Sequence, residues 1–214
     1  MVLEGKNYML RIVNTAINNH FFFKIANHEM TVVAIDASYT EPYLTDVVVI
    51  APGQTVDVFF TANQTVGSYY MAAVPYNSLN LALPFDNTTT RGVIVYAGST
   101  SSTPLMPVLP DFGDTKTAHK FYTSLIGMTS APHWKPVPLN VDKHMLVTLG
   151  MNLQRCEANA TCQGLFGQRF SASMNNESFQ FPTTTSMLEA FYYNVSEIYT
   201  TDFPDEPSVK FDYT

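Results

Sequence analysis

Between residues 10 and 73 the chain consists of short apolar runs separated by turn chemistry, a pattern that leaves little room for helices. Runs at 9–14, 22–26, 31–36, 46–50, 56–61 and 68–73 are rich in Val, Ile, Phe and Tyr, the residues that fit a pleated, half-buried surface. Asn18-Asn19, Asn27-His28, Thr40-Glu41-Pro42, Ala51-Pro52-Gly53-Gln54 and Val66-Gly67 stand between them and supply the breakers. Strands spaced so closely predict an antiparallel sandwich or barrel and exclude βαβ units. The alternation in Val56-Asp57-Val58-Phe59-Phe60 predicts a strand with one solvated face. Val47-Val48-Val49-Ile50 is apolar throughout and predicts a strand covered on both faces.

Beyond residue 73 the punctuation loosens. Residues 74–87 hold Pro75, Asn77-Ser78, Pro84 and Asp86-Asn87, so a long loop is predicted before a strand at 92–96. Residues 98–117 carry Pro104, Pro107 and Pro110 among small polar residues and suit an extended connector. A second β-series is expected, with strands at 121–126, 144–150, 168–174 and 178–181. A short helix is expected within 185–194, where Met187, Leu188, Phe191 and Tyr192 fall at helical spacing.

The stretches YMLRIVNTAINNHFFFKIANHEMTVVAIDASYTEPY, TDVVVIAPGQTVDVFFTANQ, GSYYMAA and FDNTTTRGVIVY resemble the second cupredoxin-like domain of plant laccases, which are multicopper oxidases. The resemblance continues through TPLMPVLPDFGDT, HKFYTSLIGM, CQGLFGQRFSASMNNESFQFPTTTSMLEAFYYNVSEIYTTDFPDEP and VKFDYT, and so covers nearly the whole chain. It implies an all-β architecture. A cupredoxin-like Greek-key sandwich or barrel at 1–100 would be followed by a connector at 101–117. An incomplete second cupredoxin-like unit, the start of a third laccase domain, would occupy 118–214.

Laccases couple oxidation of phenols, lignin precursors among them, to reduction of dioxygen to water, using copper held by clustered imidazoles and a thiolate. Their ligands come as His-X-His, His-X-X-His-X-His and His-Cys-His. None of these patterns occurs here: His20, His28, His119, His133 and His144 stand apart, and neither cysteine adjoins a histidine. No catalytic residue, cofactor site or metal ligand is therefore carried over, and copper is expected in the parent but not on this chain alone. The resemblance implies that the partners are the missing first domain and the remainder of the third, with phenolic small molecules as substrates of the whole. On that reading the segment is scaffold and part of a substrate-pocket wall, for which the loop at 74–85 with Tyr76 and Phe85 is the candidate. The alternative is a truncated, non-catalytic product acting as a structural or binding module. A third reading, an independent enzyme with its own chemistry, finds no supporting constellation.

The remaining features bear on compartment and on other functions. A net charge of −7 and a pI near 5.1 exclude a phosphate-binding surface, so no nucleic-acid partner is expected. With 46% hydrophobic and 14% charged residues a core is expected, yet no run is long enough to span a membrane. The first residues lack the pattern of a secretory signal, whereas the family is secreted to the apoplast. Sequons at Asn63, Asn87, Asn159, Asn176 and Asn194 are candidates for glycosylation. Cys156 and Cys162 lie in a polar segment between Gly150 and Gly164; they are a candidate disulfide in an oxidising compartment, with free thiols or pairing to another domain as alternatives.

Single residues have plain structural readings. His28 is expected to serve its turn, His144 to sit in a core, and Asp36, Glu41, Asp46 and Asp57 to be caps or solvated turn residues. No Gly-X-Ser-X-Gly elbow and no glycine-rich phosphate loop is present, which removes hydrolase and nucleotide-binding readings.

Overall fold

The apolar runs become strands whose alternate residues point to opposite faces, and the fold follows from which face each strand buries. A computed structural model describes residues 1–77, 86–162, 164–198 and 200–208. It divides into two units, 1–136 and 137–214. The first unit holds β1 (Asn7–Val13), β2 (His20–Ile25), β3 (Met30–Ile35), β4 (Ser38–Thr45), β5 (Val48–Ile50), β6 (Thr55–Thr61), β7 (Ser68–Tyr76), β8 (Thr90–Val95) and the helix α1 (Thr115–Thr123). One sheet runs β1-β6-β3-β4 and the other β5-β2-β7-β8, with every named pairing antiparallel. The chain crosses between the sheets after β1, β2, β4, β5 and β6, which makes a two-layer Greek-key sandwich.

Val56, Val58 and Phe60 point inward from β6 and are almost fully buried, while Asp57 and Phe59 point out, as the alternation predicts. Val48, Val49 and Ile50 are all buried: α1 packs on β5, and Ala118 and Phe121 of that helix join the core. The core centres on Phe22, Ile25, Met30, Val32, Tyr69 and Tyr96, each with no more than 2% of its surface exposed. Asn14 ties the β1–β2 loop to β5, donating through Nδ2 to the carbonyls of Asn19 (2.8 Å) and Ile50 (3.1 Å).

Two parts of this unit differ from what the sequence suggests. Thr40-Glu41-Pro42 lies inside β4 and is not a turn; the reversal comes earlier, at Asp36 and Ala37, whose φ values of 46° and 62° make a two-residue hairpin turn. The ladder between β3 and β4 shifts register between Val32 and Ala34, and the proline lies across that irregularity on an edge strand, where a missing N–H is tolerated. The run at 121–126 is not a strand. Asp114 caps α1, accepting from Thr117 N–H (3.0 Å) and the Thr117 hydroxyl (2.6 Å), and Ala118 and Phe121 form its buried side.

One edge of each sheet is covered. Glu41 N–H donates to Ile126 O (2.8 Å) and Met128 N–H to Tyr39 O (3.0 Å), which lays 126–128 along the free side of β4. Val2 does the same for β8, its N–H reaching Val95 O and its carbonyl accepting from Ala97, both at 2.8 Å. Leu105, in the proline-rich stretch, exchanges hydrogen bonds with Ser68 and Tyr70 at the start of β7. That stretch thus runs along the first unit and leads into a helix buried in the same core.

The second unit has β9 (Leu149–Arg155) and β10 (Gln168–Met174) paired antiparallel, and α2 (Met187–Tyr192) within the expected helical segment. Its β9 begins at Leu149, later than the run 144–150, and 178–181 forms no strand. His144, expected in a core, is exposed, because Lys143 beside it pairs with Asp205 (2.7 Å) and the segment lies at the surface. Asn175, 1% exposed, joins the end of β10 to its neighbours, accepting from Thr148 N–H (2.8 Å) and donating to Pro204 O (2.9 Å). Few other side chains are buried. Leu149, Met151, Phe170 and Phe179 are each more than half exposed, and a groove of about 980 Å³ runs over β9 and β10.

Candidate functional site

The predicted pocket wall begins where β7 ends. Tyr76 is half-buried, its ring 4.8 Å from that of Phe22 and 6.3 Å, edge-on, from the ring of His20, its cross-strand partner. Asn77 N–H donates to Phe112 O (3.0 Å), which fixes the chain as it leaves the sheet. Tyr122 of α1 belongs to the same neighbourhood: burial pushes its phenol up, and Tyr76 adds to the shift. Tyr76, His20 and Phe22 thus make an aromatic corner of the first unit. Residues 78–85, with Phe85, lie outside the described residues.

A second polar centre is internal. His28 is 2% exposed in the turn after β2, whose Asn27 has φ of 59°. Its Nδ1 lies 2.6 Å from Ala26 O and its Nε2 2.7 Å from the Tyr96 hydroxyl. The carbonyl can only accept, so Nδ1 carries the proton and Nε2 accepts from the tyrosine. Tyr96 accepts in turn from Gln64 N–H (3.1 Å). The rings of Phe60 and Tyr69 stand edge-on to the imidazole at 5.6 and 5.1 Å. Burial holds the His28 pKa below the ordinary value, the bond to Ala26 opposing in part, and pushes the Tyr96 phenol up. His28 therefore serves its turn, as expected, but also pins β8 to that turn through a partner 68 residues away.

These contacts decide whether the chain's donors fit copper. Both nitrogens of His28 are committed. His119, His133 and His144 are exposed and His20 is half-buried against Tyr76. Among the described residues no three of His, Cys, Asp and Glu gather as metal ligands would. The histidines among the described residues are thus held apart from one another.

The other candidates stand apart from both centres. Asp36 accepts from Thr55 N–H (2.8 Å), Asp46 pairs with Lys24, and Asp57 lies 3.7 Å from Arg11, so these carboxylates are structural. Asn63, Asn87, Asn159, Asn176 and Asn194 are all exposed. The Cα atoms of Cys156 and Cys162 are 6.0 Å apart, within the span a disulfide bridges. The role of His20 in the aromatic corner escaped the sequence reading. Ala118, Phe121, Tyr122 and Leu125 recur at helical intervals behind a capping aspartate, and that signal would have located α1 and Tyr122 with it.

A family profile described as multicopper oxidase matches residues 1–99. Laccase-7 of Arabidopsis thaliana is 56% identical over 218 residues and Laccase-9 of the same plant 50% identical over 215; each alignment takes in 100% of this chain and 37% of the relative. Laccase-6 of Oryza sativa subsp. japonica is 47% identical, over 100% of this chain and 38% of its own length. The chain thus spans little more than a third of the curated relatives it matches. Among solved structures, Fet3p, a multicopper oxidase that functions in iron import, aligns with 85% of this chain and 31% of its own (TM-score 0.62, 24% identity). The laccase of Botrytis aclada aligns with 95% of this chain and 32% of its own (TM-score 0.53, 22% identity). These two likenesses show the fold, a cupredoxin-like one.

Proposed function

The chain belongs to the multicopper oxidases as a segment of a laccase, and from that premise we propose that it is the scaffold of a secreted phenol oxidase. The observation that carries this is the identity of 50% and 56% to two laccases along the entire chain. The family implies copper in the parent. On this reading the metal is held by parts of the parent that this chain does not include. The sandwich orients those parts, with one edge of each sheet closed, by Val2 and by 126–128. The apolar groove over β9 and β10 is covered by further segments of the parent, because so much exposed Leu, Met and Phe is unsuited to water. Among the described residues no helix is long and apolar enough to cross a membrane.

The aromatic corner supplies one wall of the phenol pocket, with Tyr76 as the residue in contact. Aromatic pairing contributes about 0.5–1.5 kcal/mol. In the parent oxidase Tyr76→Leu, which keeps bulk in β7, is expected to raise KM for a phenol about two- to tenfold. Its kcat and copper content should be unchanged. An unaltered KM would remove Tyr76 from the wall, and lost copper would place this segment among the ligand-bearing parts.

The cysteine pair is oxidised in the exported protein. Intact mass without reductant should fall short of the fully reduced mass by one pair of hydrogens, and a peptide linking Cys156 to Cys162 should appear on digestion. Free thiols at both positions in secreted material would contradict this.

A further inference from the structure

The solvated face of an antiparallel sheet is ordinarily polar, and the outer face of β1-β6-β3-β4 carries an apolar row beside its polar ones. The register sets Met9 opposite Phe59, Phe59 opposite Thr31, and Thr31 opposite Leu44, so one row crosses all four strands. Met9, Phe59 and Leu44 in that row are 44%, 43% and 59% exposed. A groove of about 520 Å³ lies over this face, floored by Val33, Leu44 and Phe59 and edged by Asn7, Glu29 and Asn63. That volume is in the range a small ligand fills.

Asn63 is the telling member. It is exposed just past the end of β6 and heads the sequon Asn63-Gln64-Thr65. Its side chain is held by Gln64, whose Nε2 donates to Asn63 Oδ1 (2.9 Å), and Thr61 beside it bonds to Asn7 (2.7 Å). Among the five sequon asparagines, Asn63 is the one that edges this groove. Sugar attached there starts at the groove's mouth. A pyranose has an apolar C–H face that stacks on an aromatic ring, and hydroxyl and amide groups that reach polar partners. Phe59 offers the ring, and Glu29 and Asn7 offer the partners.

We propose that Asn63 carries an N-linked glycan whose first residues lie in this groove over Phe59, covering the outer face of the sheet. The occupant is the chain's own carbohydrate, placed by its covalent attachment. The inference rests on the secreted reading of the parent.

The test is to pass the 214-residue chain, behind a secretory leader, through plant cells fed 13C-labelled N-acetylglucosamine. Glycopeptide mass spectrometry then reads site occupancy, and NMR reads the acetyl methyl signals. Asn63 should be occupied, and its innermost acetyl methyl should be shifted upfield by ring current. Phe59→Leu, an exposed and volume-conserving change, should abolish the shift with occupancy kept. An occupied Asn63 without the shift would overturn the proposal and leave the face to a neighbouring protein surface. Bare Asn63 beside glycosylated Asn87 or Asn194 would overturn it while the secreted reading stands. No occupied sequon at all would count against both.

Discussion

Phe22→Ala is expected to lower the unfolding free energy of the first unit by about 3–5 kcal/mol, the range for removing a buried aromatic ring from a core. Phe22 is fully buried on β2, a strand hydrogen-bonded on one side to β5 and on the other to β7, and its ring packs on Tyr76. With a urea slope of about 2 kcal/mol per M, the unfolding midpoint followed by circular dichroism should fall by about 1.5–2.5 M. That is a large part of the stability of an ordinary domain. In the parent oxidase the variant should be recovered in low yield and with phenol oxidation lost in proportion. A loss below about 1 kcal/mol would mean that the two sheets do not close over this ring as described.

His28 gives the second large effect, and it carries a pH signature. His28→Gln removes an imidazole that closes two hydrogen bonds and fills the space between Phe60, Tyr69 and Tyr96, and should cost about 2–4 kcal/mol. The proton balance fixes the direction with pH. Burial lowers the folded pKa of His28, so below about pH 6.5 the unfolded chain takes up a proton that the folded chain refuses. Its contribution is complete above the unfolded pKa and declines as pH falls from there toward the folded pKa. Protonation would also set the ring's N–H against the Tyr96 hydroxyl, which already accepts from Gln64 and would lose its own acceptor. The other histidines are common to both proteins. Between about pH 7.5 and about pH 5, the wild-type midpoint should therefore fall further than that of His28→Gln. Parallel midpoints would show that His28 does not titrate differently on folding.

What the sequence makes legible depends on how local the cause is. The alternation in Val56–Phe60 and the unbroken Val47–Ile50 run state burial directly, because a strand's period maps residue to face. The β4 strand was hidden by Pro42, whose tolerance depends on a bulge and an edge position that only the assembled sheet reveals. Helix α1 was legible in Asp114, Thr117, Ala118 and Phe121, but its apolar run read equally well as a strand. His144 begins an apolar run and looks like a core residue, yet 144–147 is exposed among the described residues. At the candidate site, Tyr76 could be named from composition. Its neighbours could not, because His20 and Phe22 reach it through strand pairing. The apolar row of Met9, Phe59 and Leu44 likewise exists only once four strands are in register. The absence of paired histidine motifs, by contrast, was plain from the residue order alone.

The account's central claim is that this segment organises a laccase without holding its metal. Copper per chain, measured on the purified 214-residue protein after incubation with copper under reducing conditions and exhaustive dialysis, tests it most directly. The account predicts copper at background; stoichiometric retention would contradict it and would mean that the separated histidines converge on a site.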